Sequence, residues 1–283
     1  MHIEPYLAER KALVEARLLA CLPPEGTRPA SLTDAMRYAV LSGGKRLRAI
    51  LCLAAAEAAG GDADSALPAA CAVELLHAYT LVHDDLPCMD NDVLRRGLPT
   101  VHVKYGEALA VLTGDALQTL AFEVLARTRE TTPGMAVRLA TELARAAGAA
   151  GVIGGQVEDI ASAHAPTREA IDYVFQHKTA DLFRAAVRLG AIAAQAPDAA
   201  LEKLSAFANG LGLAFQVIDD ILDAAEAKAD DEPELSCLDV MPEAEARAWA
   251  RQLTADACDA LAGLPGNTLP LTAIADALLS RVS

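Results

Sequence analysis

Ser65-Ala-Leu-Pro-Ala-Ala-Cys-Ala-Val-Glu-Leu-Leu-His-Ala-Tyr-Thr-Leu-Val-His-Asp-Asp-Leu86 is the stretch that decides the fold. It is apolar on almost every face until it reaches His83, Asp84 and Asp85, and Pro87 then stops it. A helix that is apolar all round belongs at the centre of a bundle. Its acidic end is therefore charge delivered to a buried place.

The flanking segments read the same way. Ser31, with Asp34 three residues later, opens a helix that Gly43-Gly44 closes, and Lys45 to Ala59 forms another that Gly60-Gly61 stops. Helical patterns continue over about 105–127, 134–162, 167–195, 198–224, 242–263 and 271–281. Thr167 and Asp198 read as N-caps, and Pro133, Pro166, Pro197 and Pro242 mark starts. Alternating β-branched stretches are absent, so no strand is expected. The only loose stretch is Ala224 to Pro242, and no inter-domain linker appears. The expectation is one all-α domain over residues 1–283.

Composition agrees. The 283 residues are 53% hydrophobic but only 4% aromatic, with Ala and Leu dominating, a mixture that favours helices over sheets. Lys and Arg total 24 against 39 Asp and Glu, a formal net charge of −15. A field of that sign repels phosphate backbones, which argues against a nucleic-acid partner. An anionic substrate would need a local basic cluster or bound cations. The six cysteines (Cys21, Cys52, Cys71, Cys88, Cys237 and Cys258) form no CxxC pair and read as reduced core residues. The first residues lack the basic and apolar regions of a signal peptide, and no charge-free apolar run reaches membrane-spanning length. A cytoplasmic protein without a membrane span is expected.

Four clusters carry chemistry. Asp84, Asp85, Asp90 and Asp92 lie within nine residues, followed by Arg95-Arg96. Such a set cannot stay charged and buried without cations, and hard divalent ions with oxygen ligands, Mg²⁺ above all, are the natural counter-charge. On a straight helix Asp84 and Asp90 would lie about 120° apart, so sharing ions requires a bend, for which Pro87 gives a reason. The alternative is a solvated acidic helix end. Asp219, Asp220 and Asp223 form the second acidic cluster, with like charges at i,i+3 and i,i+4 that oppose the helix dipole unless a cation joins them. Gly43-Gly-Lys-Arg-Leu-Arg48, read at a helix start, would seat a phosphate, although a solvated basic turn is the default for so short a motif. His177-Lys-Thr179 lies in a long helical pattern, and Gly154-Gly-Gln156 reads as a kink. Neither decides anything alone.

Taken in order, Gly43-Gly-Lys-Arg-Leu-Arg48, His77, Asp84-Asp85 through Asp90, Arg95-Arg96, Gly154-Gly-Gln156, His177-Lys-Thr179 and Phe215-Gln-Val-Ile-Asp-Asp-Ile-Leu-Asp223 resemble the short-chain trans-prenyltransferases of the polyprenyl synthetase family. The likeness is to the bacterial farnesyl diphosphate synthases (geranyltranstransferases) in particular. The resemblance implies a bundle of roughly ten or more helices around a central cavity, usually a homodimer. It implies head-to-tail condensation of isopentenyl diphosphate with an allylic diphosphate, dimethylallyl then geranyl. Residue by residue, it implies Asp84, Asp85, Asp90, Asp219, Asp220 and Asp223 as carboxylates holding three Mg²⁺ on the allylic diphosphate. Lys45, Arg48, His77 and Arg96 match the isopentenyl diphosphate site. Arg95, Lys178, Thr179 and Gln216 match contacts to the allylic substrate. Tyr79 and Thr80, one turn deeper than Asp84, match positions that limit chain growth. Tyr79 reads as a floor for a fifteen-carbon product, while the Leu-Pro-Cys-Met-Asp wording keeps a twenty-carbon one open.

The chain departs from the family after the second acidic cluster. Where the family carries a further lysine, this sequence has Glu232, with Lys228 the only base nearby. That opens the alternative of a weakened member acting as a binding or regulatory subunit. A class I terpene cyclase is the other competing reading; it lacks the Asp219-Asp220 pattern and has no use for a second diphosphate site.

Overall fold

A computed structural model describes residues 3–127, 132–162, 166–226 and 235–282 of the chain. At its middle runs helix α4 (Ala63–Asp84), from Ala66 to Val82 almost wholly buried as its apolar surround demands. Helices α1 (Ile3–Cys21), α2 (Ala30–Leu41) and α3 (Leu47–Ala58) precede it. A two-residue hairpin, β1 (Leu94–Arg95) with β2 (Leu98–Pro99), follows. Then come α5 (Val101–Tyr105), α6 (Glu107–Ala126), α7 (Pro133–Ala147), α8 (Val152–Ser162) and α9 (Arg168–Val174). A π turn at Phe175–Ala180 joins α9 to α10 (Asp181–Ala193), and α11 (Asp198–Glu226), α12 (Glu243–Ala260) and α13 (Leu269–Leu279) complete the bundle. Short 3₁₀ turns lie at Cys237–Asp239 and Ser280–Val282.

α4 packs against α3, α6 and α10 in the main core. The alanines of α3 (Ala49, Ala54, Ala55, Ala56 and Ala58) are all buried, and their small side chains let neighbouring helices approach closely. A second, smaller core gathers Ile171, Phe175, Val217, Ile221 and Met241, with Trp249 stacked on Phe175 at 6.3 Å. α10 and α11 lie against the π turn, where the two cores meet.

Several boundaries differ from expectation. The pattern over 134–162 is two helices, because the chain breaks at Gly148–Gly151 rather than kinking at Gly154-Gly155. The pattern over 167–195 is continuous but carries the π turn at His177-Lys178-Thr179. Thr167 caps α9 as expected, its Oγ1 accepting from Ala170 N at 3.1 Å. Ser31 and Asp198 instead sit inside their helices, after Pro29 and Pro197. The hairpin is a strand pair that the sequence reading omitted. Its tip, Arg96 and Gly97, has φ of +56° and +76°, as a two-residue turn of this hand requires.

Both α4 and α6 are long and apolar enough to cross a membrane by composition, but most of α4 is buried in the bundle. α6 leaves Val111 and Leu112 exposed.

Candidate active site

α4 ends at Asp84, and the chain folds back on itself there. Leu86 O accepts from Met89 N at 2.8 Å, and Asp84 O accepts from Asp90 N at 2.9 Å. The bend around Pro87 thus returns Asp90 to Asp84, and the Asp90 carboxylate raises the charging cost of Asp84. Burial pushes the Asp84 carboxyl up to about 7, with Lys178 pulling the other way. Burial also raises Asp90 and Asp85. Asp85, almost fully buried, accepts from Arg95 Nε at 2.6 Å, and Arg95 also reaches Asp92 at 2.9 Å. Tyr79 and His83 share one face of α4, edge to face at 5.4 Å, with Tyr79 buried one turn below Asp84. Thr80 donates its hydroxyl back to His77 O at 2.8 Å.

The π turn faces this acidic end. Extra residues per turn re-aim side chains, and such turns recur at functional sites. Here Lys178 bonds Asp159 of α8 and lies close enough to Asp84 and Asp90 for both to favour its charge. Thr179 donates to Gln216 Oε1 at 2.8 Å, and Gln216 donates to Asp220 Oδ1 at 3.0 Å. A chain of contacts therefore runs from the first acidic cluster to the second. Gly155 permits it: a Cβ there would stand 2.2 Å from the Lys178 backbone nitrogen. The Gly-Gly-Gln motif is thus a site of close backbone approach and not a kink.

At the end of α11 the carboxylates divide. Asp219 is paired with Arg281 at 2.9 Å, and burial raises its carboxyl while Arg281 and Lys45 pull it down. Asp223 is exposed and near enough to Asp219 to repel it. Asp220 is buried and turned to its own protein, accepting from Cys237 N at 2.6 Å and Ser236 Oγ at 3.1 Å. It anchors the 236–239 turn.

The basic set gathers beside α4. Helix α3 starts at Leu47, so Gly43 to Arg46 form a loop leading into it, not the helix start that the sequence suggested. Arg48 Nη1 lies 3.3 Å from His77 Nε2 and its guanidinium stacks over Phe183 at 4.7 Å. Burial lowers Arg48 to about 10. Burial, then Arg48, Arg96, Arg95 and Arg46 in turn, hold His77 neutral. Arg96 reaches back from the hairpin to Gly43 O. A cavity of about 50 Å³, lined by Arg46, Glu74, His77, Arg95 and Arg96 among others, opens between the loop and the hairpin. Lys45 is exposed. Arg46, Glu74, Asp159 and Arg281 were outside the expected site set. Glu232 and Lys228 lie outside the described residues.

A family model, polyprenyl synthetase, matches residues 29–235. The chain belongs to the polyprenyl synthetase family. Its trans-prenyl diphosphate synthase fold is the all-α isoprenoid synthase type expected from the resemblance. A curated relative is the heterodimeric geranylgeranyl pyrophosphate synthase large subunit 1, chloroplastic, of Arabidopsis thaliana, 41% identical over 98% of this chain and 78% of that protein. Another is a dimethylallyltranstransferase of Fischerella ambigua, 39% identical over 99% of this chain and 84% of that protein. Among solved structures, an FPP/GFPP synthase from Zymomonas mobilis superposes with a TM-score of 0.90 at 35% identity, covering 98% of both chains. Membership supports prenyltransferase activity. The specific likeness to farnesyl synthases is narrower than these relatives' names allow.

Divalent cations fit the donor set. The carboxylates are hard oxygen ligands, and Asp84 is half-buried with its charge incompletely paid for by protein cations. Among the described residues no three His, Cys, Asp or Glu side chains form a closed metal cage.

Proposed function

We propose that the chain condenses isopentenyl diphosphate head to tail with allylic diphosphates, elongating to geranylgeranyl diphosphate. The carrying observation is the π turn, which directs Lys178 at the Asp84–Asp90 cluster while Thr179 and Gln216 bind it to the second cluster on α11. The relatives named above include a geranylgeranyl synthase at 41% identity, which supports the twenty-carbon product. Tyr79 supports a second reading, farnesyl diphosphate, because a buried aromatic ring one turn below Asp84 shortens the space for the growing chain.

In this reading Asp84, Asp85, Asp90, Asp219 and Asp223 are the residues that would hold Mg²⁺, while Asp220, expected among them, has both oxygens accepting from Gln216, Ser236 and Cys237 and anchors the 236–239 turn instead. When bound, the ions stabilise the charge that develops on the leaving diphosphate. Lys178 and Arg95, which both favour the charge of Asp84, orient the allylic diphosphate at the first cluster. Lys45, Arg48, His77 and Arg96 orient the isopentenyl diphosphate, whose charge meets the basic side of α4. Neutral His77 offers a hydrogen bond without taking a proton from substrate. The buried apolar faces of α4 and α11 exclude water from a reactive carbocation. A homodimer is part of the proposal, and the exposed Val111 and Leu112 of α6 support it.

The test is product analysis with labelled isopentenyl diphosphate and geranyl diphosphate, with Mg²⁺ and with excess chelator. A twenty-carbon product that vanishes with chelator is expected. A fifteen-carbon end product selects the second reading, and undiminished turnover in chelator overturns the metal role.

A further inference from the structure

Arg46, in the loop that leads into α3, and Glu74, in the body of α4, form a buried pair to which the proposed function gives no role. Arg46 is the only non-glycine residue between Gly43 and Leu47 recorded with a left-handed backbone, at φ +55°. L-residues avoid that region unless their surroundings fix them there. Its side chain is almost wholly buried, and Nη2 donates to Val40 O at 2.6 Å. Nη1 lies 3.8 Å from Glu74 Oε2, and Nε, buried and without a hydrogen-bond partner, lies 3.6 Å from Glu15. Glu74 is the one carboxylate in the buried body of α4, and its Oε1 accepts from Ala49 N at 3.1 Å. That amide is one of the donors that the first turn of α3 leaves unpaired.

Glu74 thus joins three things: the first turn of α3, the Arg46 guanidinium and the electrostatics of Arg48, whose charge it favours. Arg46 and Arg95 both disfavour the charge of Arg96. A cluster of like charges held this closely needs an anion fixed among them. Arg46 itself has two guanidinium nitrogens committed to Val40 and Glu74, so it is placed to orient its neighbours and not to grip a ligand.

We infer that Arg46 and Glu74 form a positioning pair for the second substrate, fixing the first turn of α3 so that Lys45, Arg48 and His77 meet the isopentenyl diphosphate in one arrangement. The inference rests on the proposed role of those three residues.

The decisive variant is Arg46→Gly. Glycine accepts the left-handed backbone freely, so the substitution keeps the turn and deletes the guanidinium. KM for isopentenyl diphosphate should rise about tenfold, with kcat and the allylic KM within about twofold of wild type. Glu74→Gln keeps an acceptor for Ala49 N and should raise the same KM less than Glu74→Ala. An unchanged isopentenyl KM in Arg46→Gly, or equal rises for both substrates, overturns the inference. Should Glu74→Ala fail to fold, Arg46→Gly still decides. Wild-type protein is assayed first: absence of isopentenyl condensation there defeats the proposed function, whereas wild-type turnover with an indifferent Arg46→Gly defeats only this pair.

Discussion

Replacing Gly155 by alanine tests whether the approach of α8 to the π turn sets the allylic half of the site. The added Cβ would stand 2.2 Å from Lys178 N and 2.8 Å from the His177 carbonyl carbon and Lys178 Cα, where ordinary contact begins at 3.4 Å. All three are backbone atoms, so no side-chain rotation relieves the clash. α8 or the π turn must withdraw by about 1.2 Å, the shortfall at the closest of these contacts. Overpacking of this kind costs about 1–3 kcal/mol. At about 2–4 °C per kcal/mol for a chain of this order, the melting temperature should fall by several degrees. The same displacement disturbs the Lys178–Asp159 pair and moves the ammonium relative to Asp84 and Asp90. Misplacement of about 1 Å can cost about 10²-fold in rate. Initial rates at varied geranyl diphosphate and saturating isopentenyl diphosphate should show kcat/KM for the allylic substrate down by 10- to 100-fold, on the order of that limit. Gly134→Ala is the control, since nothing lies within 4 Å of its added Cβ. A Gly155→Ala protein with wild-type melting and wild-type allylic kcat/KM would refute the reasoning.

Two further outcomes follow from α4. Burial raises Asp84 from 3.8 to about 7, so from pH about 4 upward the unfolded chain ionises while the folded carboxyl resists, and the fold loses stability until pH about 7, where the loss levels off. In chelator, Asp84→Asn should therefore be more stable than wild type at pH 8, by at most about 4 kcal/mol and less after solvent screening, and nearly equal at pH 4, while turnover falls by orders of magnitude; urea melts that show the same difference at both pH values contradict this. Tyr79→Ala removes the ring one turn below Asp84 and should lengthen the main product, read by chromatography of the dephosphorylated alcohols; an unchanged product places the floor elsewhere.

The sequence showed most clearly what depends on periodicity and local charge. The apolar surround of α4 and the carboxylates at its end need no tertiary information, and the bend between Asp84 and Asp90 follows from Pro87 and their spacing. Glycine was ambiguous for a physical reason: Gly148 and Gly154 look alike in one dimension, yet the first breaks a helix and the second lies inside one. Only the backbone of the π turn explains Gly155. The hairpin was invisible because its strands have two residues each, too few for alternation to register. Arg281 meets Asp219 across 62 positions, a separation no local pattern reports. Glu74 was not singled out because its partners, Arg46 in the loop before α3 and Ala49 N in the first turn of α3, are 28 and 25 positions away.

The charge arrangement shows how a chain of net charge −15 would receive the diphosphate proposed above. Its site cations are already matched to carboxylates: Arg95 to Asp85 and Asp92, Lys178 to Asp159, Arg281 to Asp219. These pairs hold long side chains in place, so little ordering cost remains when a diphosphate arrives. A diphosphate competing for Lys178 or Arg95 leaves Asp84, Asp85 and Asp90 short of positive charge in a partly buried place, which is costly unless cations enter with it. On the proposed function, binding is thus an exchange of partners. Diphosphate oxygens take the arginine and lysine donors, and divalent ions take the carboxylates. The basic cluster beside His77 differs: Glu74 and Asp85 are the buried carboxylates that favour the charge of Arg96, while Arg46 and Arg95 disfavour it. On the proposed function, Lys45, Arg48 and Arg96 leave that half of the site with positive charge of its own for the second diphosphate. On that same proposal, this asymmetry would tell the two diphosphates apart: on one side of α4 the cations are matched to carboxylates that ions must take over, and on the other arginines and a lysine face the anion directly.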